Sequence, residues 1–153
     1  MSYLNPPVIN FLMRKTRVLG FGTFDVLHPG HLSYLRQAKA LGTELIVIIA
    51  RGVNVRRFKH KSTVFSGKQR QTLVGALKMV DQAALGFKDD IYKSVMRFKP
   101  DVVAMGYDQK PSTAEVRREL AKRGLCPKIV RCKPFNPCRH KSTKIKKRIR
   151  LGT

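Results

Sequence analysis

Two histidines, His28 and His31, flank Gly30 in the stretch GTFDVLHPGH at residues 22–31. An imidazole donates hydrogen bonds and changes charge near neutral pH, and a glycine between two of them lets a ligand come close enough to the backbone for both rings to lie against it. The flanking pattern narrows the ligand. Val18, Leu19 and Phe21 lead in as a short strand, and Pro29 followed by Leu32, Leu35, Ala38 and Leu41 leads out as a helix. Such a turn leaves backbone N–H groups unpaired at the positive end of the helix dipole, where a phosphate is favoured. These residues predict a nucleotide site.

Three further stretches carry candidate chemistry. A basic segment after the second strand holds Arg51, Arg56, Arg57, Lys59, His60 and Lys61 among Gly52 and Asn54, and reads as a loop. Arg70 follows it, placed to hold phosphate or ribose or to anchor the loop. In GYDQ, residues 106–109, Asp108 can bind a substrate hydroxyl or a metal, and Gly106 can let a purine stack against the backbone. Near the end, Ser142 or Thr143 can cap a final helix, yet Arg139, Lys141, Lys144 and Lys146 crowd its N-terminus, where the dipole is already positive. That crowding is unfavourable unless an anion sits there. Two familiar phosphate motifs are missing. Gly20 and Gly22 begin a dinucleotide fingerprint, but Asp25 stands where its third glycine belongs, and there is no Walker A lysine motif.

The elements that must position these residues alternate along the chain. Residues 1–16 lack periodicity, contain Pro6 and Pro7, and read as an arm that packs on the sheet or on a second subunit, so a homodimer is one expectation. The domain runs over residues 17–153. Strands are expected at 17–21, 44–50, 81–85, 101–105 and 128–132, the second being the unbroken apolar run LIVIIA of a strand buried on both faces. Helices follow each strand, with Gly42 and Gly124 ending two of them and capping boxes at Ser66 with Gln69 and at Ser112 with Glu115. A short helix containing Val95 stops before Pro100, and a basic helix starts near Thr143. This order specifies an α/β fold: a single Rossmann-like domain with a five-stranded parallel sheet and helices on both faces. Ligands of such sheets bind beyond the carboxyl ends of the strands, where the turn, the basic segment and GYDQ all fall.

Composition bounds the setting. The chain has 153 residues, 42% of them apolar, enough for one core and too few for two ordinary domains. No apolar run is long enough to span a bilayer and no signal-peptide layout is present, which makes the cytoplasm the expected location and a membrane partner unexpected. Lys and Arg number 32 against 9 Asp and Glu, a net charge of +23 and more than one nucleotide needs, so nucleic acid is a second candidate partner. Cys126, Cys132 and Cys138 are an odd count and read as thiols. With His140 they could supply four zinc ligands, but they lack the close C-x-x-C pairing of structural sites.

FD followed by H-x-G-H at a strand-to-helix turn resembles the signature of the cytidylyltransferase-like nucleotidyltransferases. The coenzyme A and nicotinamide branches commonly carry Thr where His28 stands. Histidine there is similar to the glycerol-3-phosphate cytidylyltransferases and the archaeal-type FAD synthetases. The wider text GTFDVLHPGHLSYLRQAKALG, ARGVNVRR, VDQAALG, GYDQ and the cysteine-bearing C-terminus looks most like the archaeal FAD synthetases, over nearly the whole chain after the arm. The resemblance implies an adenylyltransferase that forms FAD from FMN and ATP, with a divalent cation, magnesium by expectation, to neutralise the triphosphate. It implies His28, His31 and Lys61 as catalytic residues. ATP is then bound by Gly22, Thr23, Phe24, His28, Gly30, His31, Arg70, Gly106, Asp108, Ser142 and Thr143, and KSTKI matches the Ser/Thr motif that grips the leaving phosphates. No metal ligand is assigned. One departure is Gly52, where the family often has an acidic residue. The nearest rival is a cytidylyltransferase acting on glycerol 3-phosphate or a similar phosphoalcohol. The rival from another class is a basic RNA-binding module on a nucleotide fold.

Overall fold

The computed structural model describes residues 14–152. Most of the expected arm, residues 1–13, lies outside the described residues. Its last part ties into the domain: Arg14 pairs with Asp101 at 3.0 Å, and the Thr16 amide donates to Thr43 Oγ1 at 2.9 Å.

Five strands form one parallel sheet: β1 Arg17–Gly22, β2 Glu44–Ile49, β3 Gln82–Leu85, β4 Val102–Met105 and β5 Lys128–Arg131, in the order β3-β2-β1-β4-β5. Successive residues of the central strands feed two cores, because side chains alternate across a strand. Val18, Leu45, Val47 and Ile49 pack on one face with Leu35 and Ala38 of α1, Pro29–Lys39, and Val74 of α3, Gly67–Gly75. Leu19, Ile46 and Ile48 pack on the other with Val95 of α4, Tyr92–Phe98, and Val116 and Leu120 of α5, Thr113–Lys122. Both expected capping boxes form, Ser66 with Gln69 and Ser112 with Glu115. Each is worth about 1 kcal/mol and fixes where its helix begins.

The chain reverses direction across the sheet between β1 and β4, and there the two strands part. Their ladder runs from Val18 beside Val102 to Gly20 beside Ala104. Beyond it the buried Tyr34 hydroxyl accepts from the Phe21 amide at 3.0 Å and donates to the Ala104 carbonyl at 2.8 Å. Gln109 Nε2 then donates to the Phe21 carbonyl at 2.6 Å. Side chains thus take over the hydrogen bonds of the splayed strands, and a crevice opens at the switch point. A Cβ on Gly20 would stand 3.0 Å from the tyrosine oxygen, so the wedge requires glycine.

Three local expectations are corrected. Most of the basic segment after β2 is helix α2, Gly52–Lys59, rather than loop. Its inward face is only Asn54 and Val55, too short a period to show among arginines, and Asn54 Nδ2 holds the helix to the Phe87 carbonyl at 2.8 Å. Gly42 does not cap α1, whose C-cap is Ala40; glycine is needed because a Cβ would lie 2.5 Å from the Thr16 carbonyl oxygen. The final helix α6, Ser142–Leu151, has Lys141 at its N-cap with no side-chain cap bond, so neither Ser142 nor Thr143 caps it. Both lie in its first turn.

Candidate active site

The site grows out of the turn after β1. His28 is the N-cap of α1, its Nδ1 accepting from the Gly30 amide at 3.1 Å. A ring nitrogen that accepts carries no proton, so the proton of the neutral ring sits on Nε2, which is left as a donor. The His31 ring stacks on it, centroids 3.8 Å apart and planes 25° from parallel. Burial, then the neighbouring His28 and Lys59, push His31 down to about 3, and burial followed by His140 lowers His28 as well. The pair therefore works as two neutral hydrogen-bonding rings rather than as cations. His31 Nδ1 is buried and has no hydrogen-bond partner. Gly30 admits the His28 ring and the His140 carbonyl oxygen, which a Cβ there would meet at 2.9 and 3.0 Å.

Backbone strain marks the same turn. Phe24 and Val26 have φ of 50° and 58°, a left-handed conformation that a β-branched residue rarely takes. Phe24 is buried with its ring over Gly22, where a Cβ would lie 2.5 Å from it. Among the described residues, the amides from Thr23 to His28 find no acceptor. A row of free N–H groups in front of a helix N-terminus is an anion cradle.

Two buried charges hold this strained turn. Asp25, 3% exposed, accepts from the amides of Val64 and Phe65 at 2.8 and 3.1 Å and from Lys146 of α6. Burial works to raise its pKa, but the lysine and the two amides outweigh it and hold the carboxyl below its usual range. Arg70 has no exposed surface. Its Nη1 donates to the Thr23 and Ala50 carbonyls at 2.6 and 2.8 Å, and its Nε to the Phe65 carbonyl at 3.0 Å. Nη1 and Nε act as an anchor beneath the loop, while the buried Nη2 has no hydrogen-bond partner among the described residues.

Around the turn stand the mobile-chain cations. Lys59 Nζ reaches Thr23 Oγ1 at 3.0 Å, and Lys61 Nζ reaches Thr143 Oγ1, in the first turn of α6, at 3.4 Å. The GYDQ segment is clamped from below. Arg131 Nη1 donates to the Gly106 and Gln109 carbonyls at 2.7 and 3.0 Å, and Gln109 Oε1 accepts from the Gly106 amide at 2.9 Å. The space next to Gly106 is filled by Gln109, 3.3 Å from where a Cβ would be, so that glycine makes room for the glutamine. Asp108 is exposed and pairs with Lys141 at 3.5 Å. Gly52 opens α2 with free space beside it, the nearest atom to a Cβ being Thr63 Oγ1 at 4.0 Å. Cys132 is buried while Cys126 and Cys138 are exposed, and no group of three ligating side chains gathers among the described residues.

The turn, Lys61 and the first turn of α6 are thus brought to one opening, with Asp108 at its rim, while Arg70 lies beneath it. Sequence reasoning assigned no site role of their own to Asp25, Lys59, Lys146, Gln109 and Arg131, although all but Arg131 lie in stretches that it singled out.

A family model described as Cytidylyltransferase-like matches residues 19–148. A protein of Archaeoglobus profundus named FAD synthase is 50% identical over 135 residues, covering 87% of this chain and 85% of that protein. One of Methanosarcina mazei with the same name is 50% identical over 124 residues, 80% of each chain. Among solved structures, a Thermoplasma volcanium protein described as a lipopolysaccharide core biosynthesis protein superposes with a TM-score of 0.77 at 41% identity, covering 80% of this chain and 99% of that one. With most of its length matched, and with its histidine pair and free amides at the switch point of the sheet, this chain belongs to the cytidylyltransferase-like family.

Proposed function

We infer that this protein transfers the adenylyl group of ATP to the phosphate of FMN, forming FAD and pyrophosphate. The observation that carries the reaction type is the neutral, stacked His28–His31 pair beside a row of free amides, facing the uncapped, lysine-rich start of α6. The relatives named FAD synthase, at up to half identity over most of the chain, support the choice of nucleotide and acceptor.

In the reaction an FMN phosphate oxygen attacks the α-phosphorus in line, a new P–O bond forms, and the bond to the β-phosphate oxygen breaks. Negative charge grows on the equatorial oxygens and on the leaving pyrophosphate. Catalysis is then positioning plus charge stabilisation. His28 Nε2–H and His31 donate to the α-phosphate from the turn, and Lys61 spans from the turn to α6. The free first-turn amides and hydroxyls of Ser142 and Thr143 hold the leaving phosphates. Asp108 takes a hydroxyl of the adenosine at the rim. Magnesium enters as part of the ATP substrate. The two carboxylates nearest the turn, Asp25 and Asp108, are each already paired with a lysine, and the family's acidic position is Gly52. Such an ion keeps the triphosphate and water as its main ligands. Among the described residues no helix is long and apolar enough to cross a membrane, and a cytoplasmic setting goes with this reading.

The test is product formation from ATP, FMN and magnesium with purified protein. FAD is expected, and a preference for CTP with a phosphoalcohol would replace the reading by its nearest rival. His31→Ala is expected to cut turnover at least about a hundredfold while the fold stays intact by circular dichroism. Full activity in that variant would overturn the site.

A further inference from the structure

We propose that the isoalloxazine ring of FMN stacks on Phe135, on the outer side of α1, with Arg36 against its polar edge. This rests on the FMN reading above and adds where the flavin is held.

The segment after β5 does not leave the domain but lies along α1, pinned there at both hydrogen-bonding groups of one glutamine. Gln37 Oε1 accepts from the Lys133 amide at 2.8 Å, and its Nε2 donates to the Lys133 carbonyl at 3.1 Å. Pro134 and Pro137 stiffen the next residues, and the Asn136 carbonyl closes them by accepting from the amides of Arg139 and His140, both at 2.9 Å. This turn presents Phe135, 43% exposed. Together with Pro29, Leu32, Ser33, Arg36 and Gln37, that ring lines a recess of about 200 Å³. Its lining combines an aromatic residue, apolar Pro29 and Leu32, polar Ser33 and Gln37 and the cationic Arg36, a set that suits a planar heteroaromatic with polar edges.

The recess connects to the chemistry through a column of near-parallel rings. Phe135 lies 5.6 Å from His140 at 17°, and His140 lies 6.5 Å from His28 at 19°. From a phosphate at His28, the shelf is therefore two ring steps away, a span that a ribityl chain of five carbons covers. On the other side of the same junction, Lys141 turns to Asp108 and Tyr107, in the segment after β4. The two substrates of an in-line transfer need separate lodgings that meet at the α-phosphate, and the molecule has one on each side of the residues His140 and Lys141. Phe135 has one ring neighbour, His140, and the rest of its exposed surface faces the recess shared with Arg36.

The chain contains no tryptophan, so Phe135→Trp creates a single reporter. Titrating that variant with FMN is expected to quench its emission statically and to saturation, while ATP alone leaves it unchanged. In steady-state assays Phe135→Ala is expected to raise KM for FMN about tenfold with KM for ATP within about twofold, stacking being worth about 1–3 kcal/mol per ring. Phe135→Leu, which keeps the bulk, is expected to show the same split and controls for a disturbed loop. If wild-type protein makes FAD but these variants keep an unaltered KM for FMN, the shelf is not the flavin site. Quenching by ATP and not by FMN would also overturn it, assigning the ring to the adenine. If wild-type protein makes no FAD, the parent reading fails, and quenching by FMN would still mark a flavin site at Phe135.

Discussion

The turn after β1 and the helix α6 face one opening, and they are held there in opposite ways. The turn is over-determined: its left-handed Phe24 and Val26 are kept in place by Arg70 from below, Asp25 from within and the Phe24 ring from the side. The helix has no buried residue, leaves Ile149 70% exposed, and reaches the turn through Lys146 on Asp25 and Thr143 on Lys61. The difference teaches how the labour of binding a triphosphate is divided. One half of the grip is paid for in the fold, where strain and buried charge are compensated before any ligand arrives. The other half is a row of like charges at a helix N-terminus; on the proposed reading the ligand's phosphates neutralise them, which would couple nucleotide binding to docking of α6.

The sharpest way to break this contrast is at Arg70. Arg70→Met strands three carbonyls that have no other donor and is expected to cost about 3–5 kcal/mol, read as a fall in the denaturation midpoint. A loss below about 1 kcal/mol would mean that the turn needs no anchor. Asp25→Ala comes next. It frees the Val64–Phe65 loop and α6 together, so a loss of about 2–3 kcal/mol should come with a loss of turnover that added ATP does not restore. Lys146→Met releases α6 alone. KM for ATP is expected to rise about tenfold with about 1–2 kcal/mol of stability lost, because Asp25 keeps its two amide donors. If it destabilised the protein as much as Arg70→Met, the helix would be as integral as the turn and the comparison would fall.

Near neutral pH the smallest effect is that of pH itself. Folding lowers the pKa of His31 from 6.5 to about 3, so in that window the unfolded chain holds the extra proton. The stability gained by burying the neutral ring is complete above the unfolded value and is lost as pH falls towards the folded one. Depression of the Asp25 pKa acts in the same direction at lower pH. Wild-type protein should therefore lose stability below pH 6.5, with His31 contributing at most about 1.4 kcal/mol per pH unit. His31→Gln should flatten the upper part of that slope in urea titrations. An unchanged slope would place His31 in solvent contact rather than in the turn.

Much of the fold was legible because it rests on local rules. Alternation of apolar runs with capped helices, the double burial implied by LIVIIA, and two reciprocal Ser–Gln and Ser–Glu boxes all act within a few residues, and the parallel sheet follows from their order. Helix α2 was not legible, since its inward face is two residues long and the rest is arginine and lysine. At the site, the histidine pair and the lysine-rich start of α6 were visible as types and spacings. Of its anchors, Arg70 was visible as one of two alternatives and Asp25 was not.

What the sequence determined by itself was the kind of turn: a strand, a histidine-bearing N-cap and a helix, with charge excess waiting at the far end of the chain. Tertiary structure alone decided how those parts meet. Arg70 could have faced phosphate or protein, and its Nη1 and Nε went to three carbonyls while its buried Nη2 keeps no partner among the described residues. Lys146 was one lysine among many until Asp25, buried beside the turn with one more bond to accept, chose it. Such pairings depend on distances between residues over a hundred positions apart, which no local pattern encodes.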